Sequence, residues 1–384
     1  GDIPLASVNS YNLSETITIR PSILSGELRL PPSKSHAIRW LCLASMDKEP
    51  TKIGMWEIGE DVQAMIDCLI MMGADWDGEV LTGGDIKTPT EILDCKNSGT
   101  SLRILIGQCA THSEQITLDG DYSLRTRSSL HLIKALGVKF KSQSESSEYP
   151  LTLEGPFAKS EVEIDVSKTS QFHSSLMLMA PRTNGFDIIP KGDAVSRNHS
   201  NLTWKLCKIT GATEPGKPWI VKCPDVILPP DASMMSFAKL ANLAVENPAT
   251  RQENLGHDLE NTILRDSNDL ITPMAAWLAL GKGGVISHAS HAAFKESNRV
   301  IKTAELLSAF GLKAEITDDG LEIAGNQKPT TPNSVVKTYN DHRIQMTAVL
   351  LASITGGTIE GKYLHKVAWP TYLEQLVQCG LQLG

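Results

Sequence analysis

Cysteine is sparse and unpatterned: the seven in 384 residues include no C-x-x-C pair, which excludes the usual zinc-ribbon and thioredoxin-like arrangements. Most lie inside apolar runs and read as reduced core thiols. The ten histidines are scattered, without H-E-x-x-H or any other metal spacing, so no metal and no cofactor are expected. No apolar run is long enough to span a bilayer and no signal-peptide pattern is present, so the expectation is a soluble, cytoplasmic protein of two or more domains. Basic excess is lacking too. With 36 Lys+Arg against 44 Asp+Glu and a net charge of −8, neither nucleic acid nor membrane is an expected partner. Gly281-Lys282-Gly283-Gly284 has neither the spacing nor the following Ser/Thr of a phosphate loop, and reads as a turn.

What the chain does have is one layout repeated five times: small polar residues, a Lys or Arg within about a turn, then an apolar run of helical length. The copies are Pro31-Pro32-Ser33-Lys34-Ser35-His36-Ala37-Ile38-Arg39, Asn97-Ser98-Gly99-Thr100-Ser101-Leu102-Arg103, Ser123-Leu124-Arg125-Thr126-Arg127, Thr169-Ser170-Gln171-Phe172-His173 and Asn340-Asp341-His342-Arg343. A helix N-terminus carries unpaired N–H groups and the positive end of the dipole, so a cation there is unfavourable unless an anion lies between. Five such placements imply an anionic, phosphorylated ligand.

A second recurrence organises the chain. Amphipathic helices end at Gly73, Gly137, Gly211, Gly311 and Gly380, each followed at once by a short alternating strand, as expected where glycine accepts the left-handed conformation that closes a helix. These glycines lie 64, 74, 100 and 69 positions apart. A unit of roughly 65 to 75 residues with a degenerate copy between Gly211 and Gly311 accounts for the spacing, and six units fill the chain. Helices apolar all round, such as the one carrying Leu102, Ile104, Leu105, Ile106 and Cys109, are expected to be buried. The chain thus reads as α/β, with helices inside and sheets outside as plausible as a doubly wound sheet.

Several residues have two readings from the residues alone. Lys34 and Arg39, about 140° apart round a helix, are anion contacts or surface cations. Asn97 and Gly99 sit in an N-cap and small-residue turn that lets a ligand approach the backbone. Asp269 precedes an apolar helix and reads as its cap. Lys295-Glu296-Ser297-Asn298-Arg299 is a surface salt-bridge cluster or an acid/base carboxylate flanked by anion clamps.

Taken in order, from Leu30-Pro31-Pro32-Ser33-Lys34-Ser35 to Trp369-Pro370-Thr371-Tyr372-Leu373-Glu374-Gln375-Leu376, the motifs resemble the enolpyruvyl transferase family nearly end to end. The resemblance implies two similar domains, each of three βαβαββ units with helices inside and sheets outside, one formed by 1–29 plus 230–384 and the other by 30–229, with the active site in the cleft between them. It implies a monomer with two small-molecule partners, shikimate 3-phosphate and phosphoenolpyruvate. Lys34, Ser35, Arg39, Thr169, Ser170, Gln171, Ser196 and Lys295 then contact the first. Lys34, Gly99, Arg125, Gln171, Arg299 and Arg343 contact the second. Asp269 and Glu296, or Lys34 in place of Glu296, hold the acid/base positions. The chain departs from the family pattern at Val367, where a lysine is usual and Lys366 is the nearest substitute, and at His199, His291 and Asn298. These departures leave open an enolpyruvyl transferase for another alcohol, or a binder of phosphorylated metabolites without turnover.

Overall fold

The computed structural model describes residues 15–250, 253, 262–264, 268–289 and 298–384. They form two compact units, one of Ser33–Trp56 with Glu60–Leu228, the other of residues 15–32, 57–59 and 229–384. Both are α/β.

The first unit carries helices α1 (Lys34–Ala44), α2 (Glu60–Met71), α3 (Gly99–Ala110), α4 (Tyr122–Arg125), α5 (Leu130–Leu136), α6 (Gln171–Met179) and α7 (Arg197–Ile209). Its described strands make three small sheets. Thr51–Gly54 pairs with Val80–Thr82 on one side and Val226–Ile227 on the other, and Asp75–Trp76 closes that sheet. Ile116–Asp119 lies between Leu93–Asp94 and the Leu151–Glu154 and Lys139–Ser142 pair. Glu161–Asp165 runs parallel to Asp187–Lys191.

α3 shows why the helices sit as they do. Leu102, Ile104, Leu105, Ile106 and Cys109 point in every direction round the axis and all are buried, because a helix without a polar face must be enclosed. It packs against α6 at very close range. A Cβ on Gly107 would lie 2.3 Å from Ser175 Oγ, and that hydroxyl donates to Arg103 O at 2.6 Å. Leu105→Ala is expected to lower the unfolding free energy by about 2–5 kcal/mol, measured as a shift in the urea midpoint.

The second unit holds α8 (Met235–Ala241), α9 (Ile271–Leu280), α10 (Arg299–Ala309), α11 (His342–Thr355) and α12 (Tyr372–Gln378). Its described strands again give three sheets: Thr16–Arg20 between Gly357–Glu360 and Gln382–Leu383, Leu321–Ile323 between Gly284–Ile286 and Glu315–Ile316, and the parallel pair Glu27–Leu28 with Ala244–Val245. α11 is buried from His342 to Ser353, and its apolar residues belong to one core cluster with Phe237, Phe310, Trp369 and Tyr372.

The five expected helix-closing glycines all adopt positive φ, at 106°, 69°, 122°, 72° and 113° in chain order. Four are followed by a strand. Gly211 is not, since no strand follows it before Val226. The degenerate copy sought between Gly211 and Gly311 has its left-handed residue at Asn242, φ 55°, which closes α8 just before Ala244–Val245. Asparagine tolerates this conformation better than other side-chain-bearing residues.

All seven cysteines are free, and six are buried. Burial pushes the Cys42 thiol up to about 12. Among the described residues no helix is long and apolar enough to cross a membrane, and no three His, Cys, Asp or Glu are grouped to hold a metal.

His365, in the short turn Leu364–Val367, is buried with its Nδ1 3.3 Å from Gln345 Nε2. Burial, then the charge of Lys366, push its pKa from 6.5 down to about 3. The folded state therefore favours the neutral ring, and its contribution to stability is complete above pH 6.5 and lost as pH falls towards 3. Unfolding free energy should decline by up to about 1.4 kcal/mol per pH unit across that window from this group. Urea titrations at several pH values should show the slope in the wild type and its reduction in His365→Gln.

Candidate anion-binding site

Four of the five basic motifs lie at a helix N-terminus; the third does not, since Arg125 ends the four-residue α4 and Arg127 follows it. Ser33 caps α1 by accepting from His36 N at 3.3 Å. Ser98 caps α3 by accepting from Ser101 N at 3.2 Å, and Asp121 caps α4 by accepting from Leu124 N at 2.8 Å. Asp341 caps α11, accepting from Arg343 N at 2.9 Å and Ile344 N at 3.3 Å. Ser170 and Ser196, at the starts of α6 and α7, are buried but make no capping bond to their own helices. Ser196 is left-handed, φ 48°.

In the first unit Lys34 Nζ lies 3.0 Å from Asp61 Oδ2 at the start of α2. Around Gly99 two arginines converge: a Cβ there would lie 2.7 Å from Arg103 Nη1 and 2.9 Å from Arg127 Nη1. Only glycine leaves both forks room. Arg103 is fixed by Ser129 Oγ at 2.9 Å and Gln171 Oε1 at 2.7 Å. Gln171 in turn donates to Thr100 Oγ1 at 3.1 Å, and Thr169 Oγ1 accepts from Gln171 N at 3.1 Å. Arg127 Nη2 donates to Asn97 O at 2.9 Å, while its Nε and the Asn97 Oδ1 are buried without a partner among the described residues. Asn97 Nδ2 donates to Asp121 Oδ2 at 2.9 Å. Burial pushes Asp121 up to about 6 against the lowering effect of its hydrogen bonds from Leu124 and Asn97.

Arg125, which the resemblance made a phosphoenolpyruvate contact, is engaged by a carboxylate. Its Nε donates to Asp119 Oδ1 at 2.9 Å and its Nη2 to Oδ2 at 2.5 Å, both side chains being largely covered. A guanidinium filled by a two-pronged carboxylate has its strongest anion geometry already used. Arg127, two positions on, and Arg103 take the place by Gly99. Both stand in the quoted motifs, but sequence spacing does not reveal which arginine meets the carboxylate at the end of strand Ile116–Asp119.

In the second unit Arg299, Arg343, Asp269 and Asp341 form one cluster. Arg299 Nε donates to Asp341 Oδ2 at 2.8 Å and its Nη1 to Asp269 Oδ1 at 3.3 Å. Arg343 Nη2 donates to Ser233 Oγ at 3.1 Å and lies 4.0 Å from Asp269 Oδ2. Its Nη1 is buried without a partner among the described residues. Asp269 belongs to the one-turn helix Asn268–Leu270 and is the more exposed of the two carboxylates. Lys295, Glu296 and His291 lie outside the described residues. Asn298 caps α10, accepting from Ile301 N at 3.3 Å. Val367 is buried, and the Lys366 ammonium stacks 5.0 Å from the ring centre of exposed Tyr363.

Each α/β unit thus places arginines beside a helix N-terminus, around Gly99 in one and Asp341 in the other, a donor set whose chemistry suits phosphate or carboxylate. The chain belongs to the EPSP synthase (3-phosphoshikimate 1-carboxyvinyltransferase) family, whose model matches residues 19–222 and 232–376. A 3-phosphoshikimate 1-carboxyvinyltransferase of Korarchaeum cryptofilum is 29% identical over 96% of this chain and 99% of its own length. One of Methanothermobacter thermautotrophicus is 26% identical over 94% and 97%. EPSP synthase from Acinetobacter baumannii shares the fold with a TM-score of 0.71 at 19% identity, covering 96% of this chain and 99% of that one. The enolpyruvyl transferase NikO from Streptomyces tendae gives 0.69 at 16% identity, covering 96% and 98%.

Proposed function

We propose that this chain transfers the enolpyruvyl group of phosphoenolpyruvate to the 5-hydroxyl of shikimate 3-phosphate and releases phosphate, without metal or cofactor. The acceptor hydroxyl adds to C2 as the methylene C3 takes a proton. The tetrahedral adduct then loses phosphate. Two phosphates and a carboxylate must be held close against their repulsion, which calls for several fixed cations, a base at the hydroxyl and an acid at C3. Asp269 is the base, and Glu296 or Lys34 the acid. Lys34, Ser35, Arg39, Thr169, Ser170, Gln171, Ser196 and Lys295 contact shikimate 3-phosphate. Lys34, Gly99, Gln171, Arg299 and Arg343 contact phosphoenolpyruvate, with Arg127 in place of Arg125, and Asn97 joins the substrate-binding residues. Domains of 1–29 plus 230–384 and of 30–229, each of three βαβαββ units, belong to the same proposal, as does a cytoplasmic monomer.

The observation that carries the reading is the convergence of Arg103 and Arg127 on Gly99, at a distance that leaves no room for a side chain there. His199 supports a second reading, transfer to a different alcohol, since it replaces the tyrosine usual in the family. Phosphate release from phosphoenolpyruvate that depends on shikimate 3-phosphate is the expected result. Release with another alcohol and none with this one would favour the second reading. Calorimetric binding of both substrates without turnover would instead mark a binder.

A further inference from the structure

Arg39 is one of the largest fully buried side chains in the protein, at 1% exposure, and among the described residues no carboxylate pairs with it. Its partners are neutral oxygens. Nε donates to Thr203 Oγ1 at 2.7 Å, Nη1 to the Ser35 carbonyl at 3.0 Å, and Nη2 lies 3.5 Å from Ser174 Oγ. Thr203 and Ser174 are themselves wholly buried, with their hydroxyls 2.7 Å apart.

Counting protons fixes the direction of this network. Thr203 has one hydroxyl proton, which goes to the His199 carbonyl at 3.0 Å. Its lone pairs are then left to accept from Arg39 Nε and from the Ser174 hydroxyl, while Ser174 accepts from Nη2. The guanidinium is thus gripped by α1, α6 and α7. Three of its five N–H groups are directed, and one on each Nη remains.

Hydroxyl and carbonyl oxygens satisfy the direction of an N–H but do not neutralise a buried charge, which is costly to leave uncompensated. Burial lowers the Arg39 pKa to about 10, so the side chain stays charged at neutral pH. An arginine serving only to join helices would be better replaced by apolar packing. We propose that Thr203 is a positioning residue, holding Arg39 by neutral bonds so that the cation's counter-charge is supplied by the anionic group of the acceptor substrate. This rests on the function proposed above.

The test uses the full chain with Thr203→Val, which keeps the shape and removes the hydroxyl, and Thr203→Ser, which restores it. Thr203→Val should raise the KM and the calorimetric Kd for shikimate 3-phosphate about tenfold, leaving the KM for phosphoenolpyruvate within about twofold, and Thr203→Ser should recover most of the loss. Thr210→Val is the control: it lies at the end of the same helix, buried, donating to Cys207 O at 2.8 Å and accepting from Trp219 Nε1 at 3.1 Å. It should cost stability without moving either KM. If Thr203→Val does not fold, Ser174→Ala is read in the same way, with a rise of about threefold. An unchanged acceptor Kd in folded Thr203→Val, or equal rises for both substrates, overturns the inference while leaving the function intact. Wild-type binding without turnover overturns the function, and the Kd comparison still decides the role of Thr203. No binding at all overturns both.

Discussion

Arg127→Ala should raise the KM for phosphoenolpyruvate roughly ten- to hundredfold, the equivalent of one charge-assisted bond of about 1.5–3 kcal/mol, with a smaller fall in the unfolding midpoint than Arg125→Ala, from the lost bond to the Asn97 carbonyl. Its Nε is buried without a partner among the described residues, and its Nη1 faces Gly99, so the side chain carries bonding capacity that the fold does not consume. Arg125→Ala should behave in the opposite sense. It strands Asp119, a buried carboxylate, and breaking a buried pair from one side costs about 3–5 kcal/mol, visible in urea unfolding before any kinetic effect is separated from it. Steady-state kinetics and denaturation on both variants check the pair of outcomes. A reversal, with Arg125→Ala stable but weak for phosphoenolpyruvate, would return the substrate contact to Arg125.

Asp269→Asn should lower kcat by about 10² to 10⁴, the range for removing a positioned general base. The amide keeps the size of the carboxylate and can still accept from Arg299 Nη1, now 3.3 Å from Oδ1. Arg299 also retains Asp341 at 2.8 Å, so it stays charge-paired, while Arg343 loses the carboxylate 4.0 Å from it and the thermal midpoint should fall modestly. The readout is single-turnover phosphate release beside the steady-state rate. A loss of only a few fold would remove Asp269 from the chemistry and leave it as a partner for Arg299.

Local rules were legible because they depend on neighbours in sequence. Ser33 and Ser98 cap the helices their motifs announced, and Gly73, Gly137, Gly311 and Gly380 close helices before strands. Long-range partners were not. In Leu124-Arg125-Thr126-Arg127 either arginine could face a ligand, and the choice is made by Asp119, which sits where a strand ends and captures the first of the two. Asn242 carries no signal comparable to those glycines, because asparagine is common in many settings and only sometimes takes the left-handed conformation that closes a helix. The hydroxyl partners of Arg39 come from residues 135 and 164 positions away, and no periodicity joins them.

Asp341 serves two masters with one carboxylate: it starts α11 through the amides of Arg343 and Ile344, and it grips Arg299 from the neighbouring helix. Winding of α11 and assembly of the arginine pair are therefore a single event, and a half-built clamp on an otherwise finished molecule is not an available state. Variation at this position would be filtered as a folding defect before it could be tried as a change of specificity.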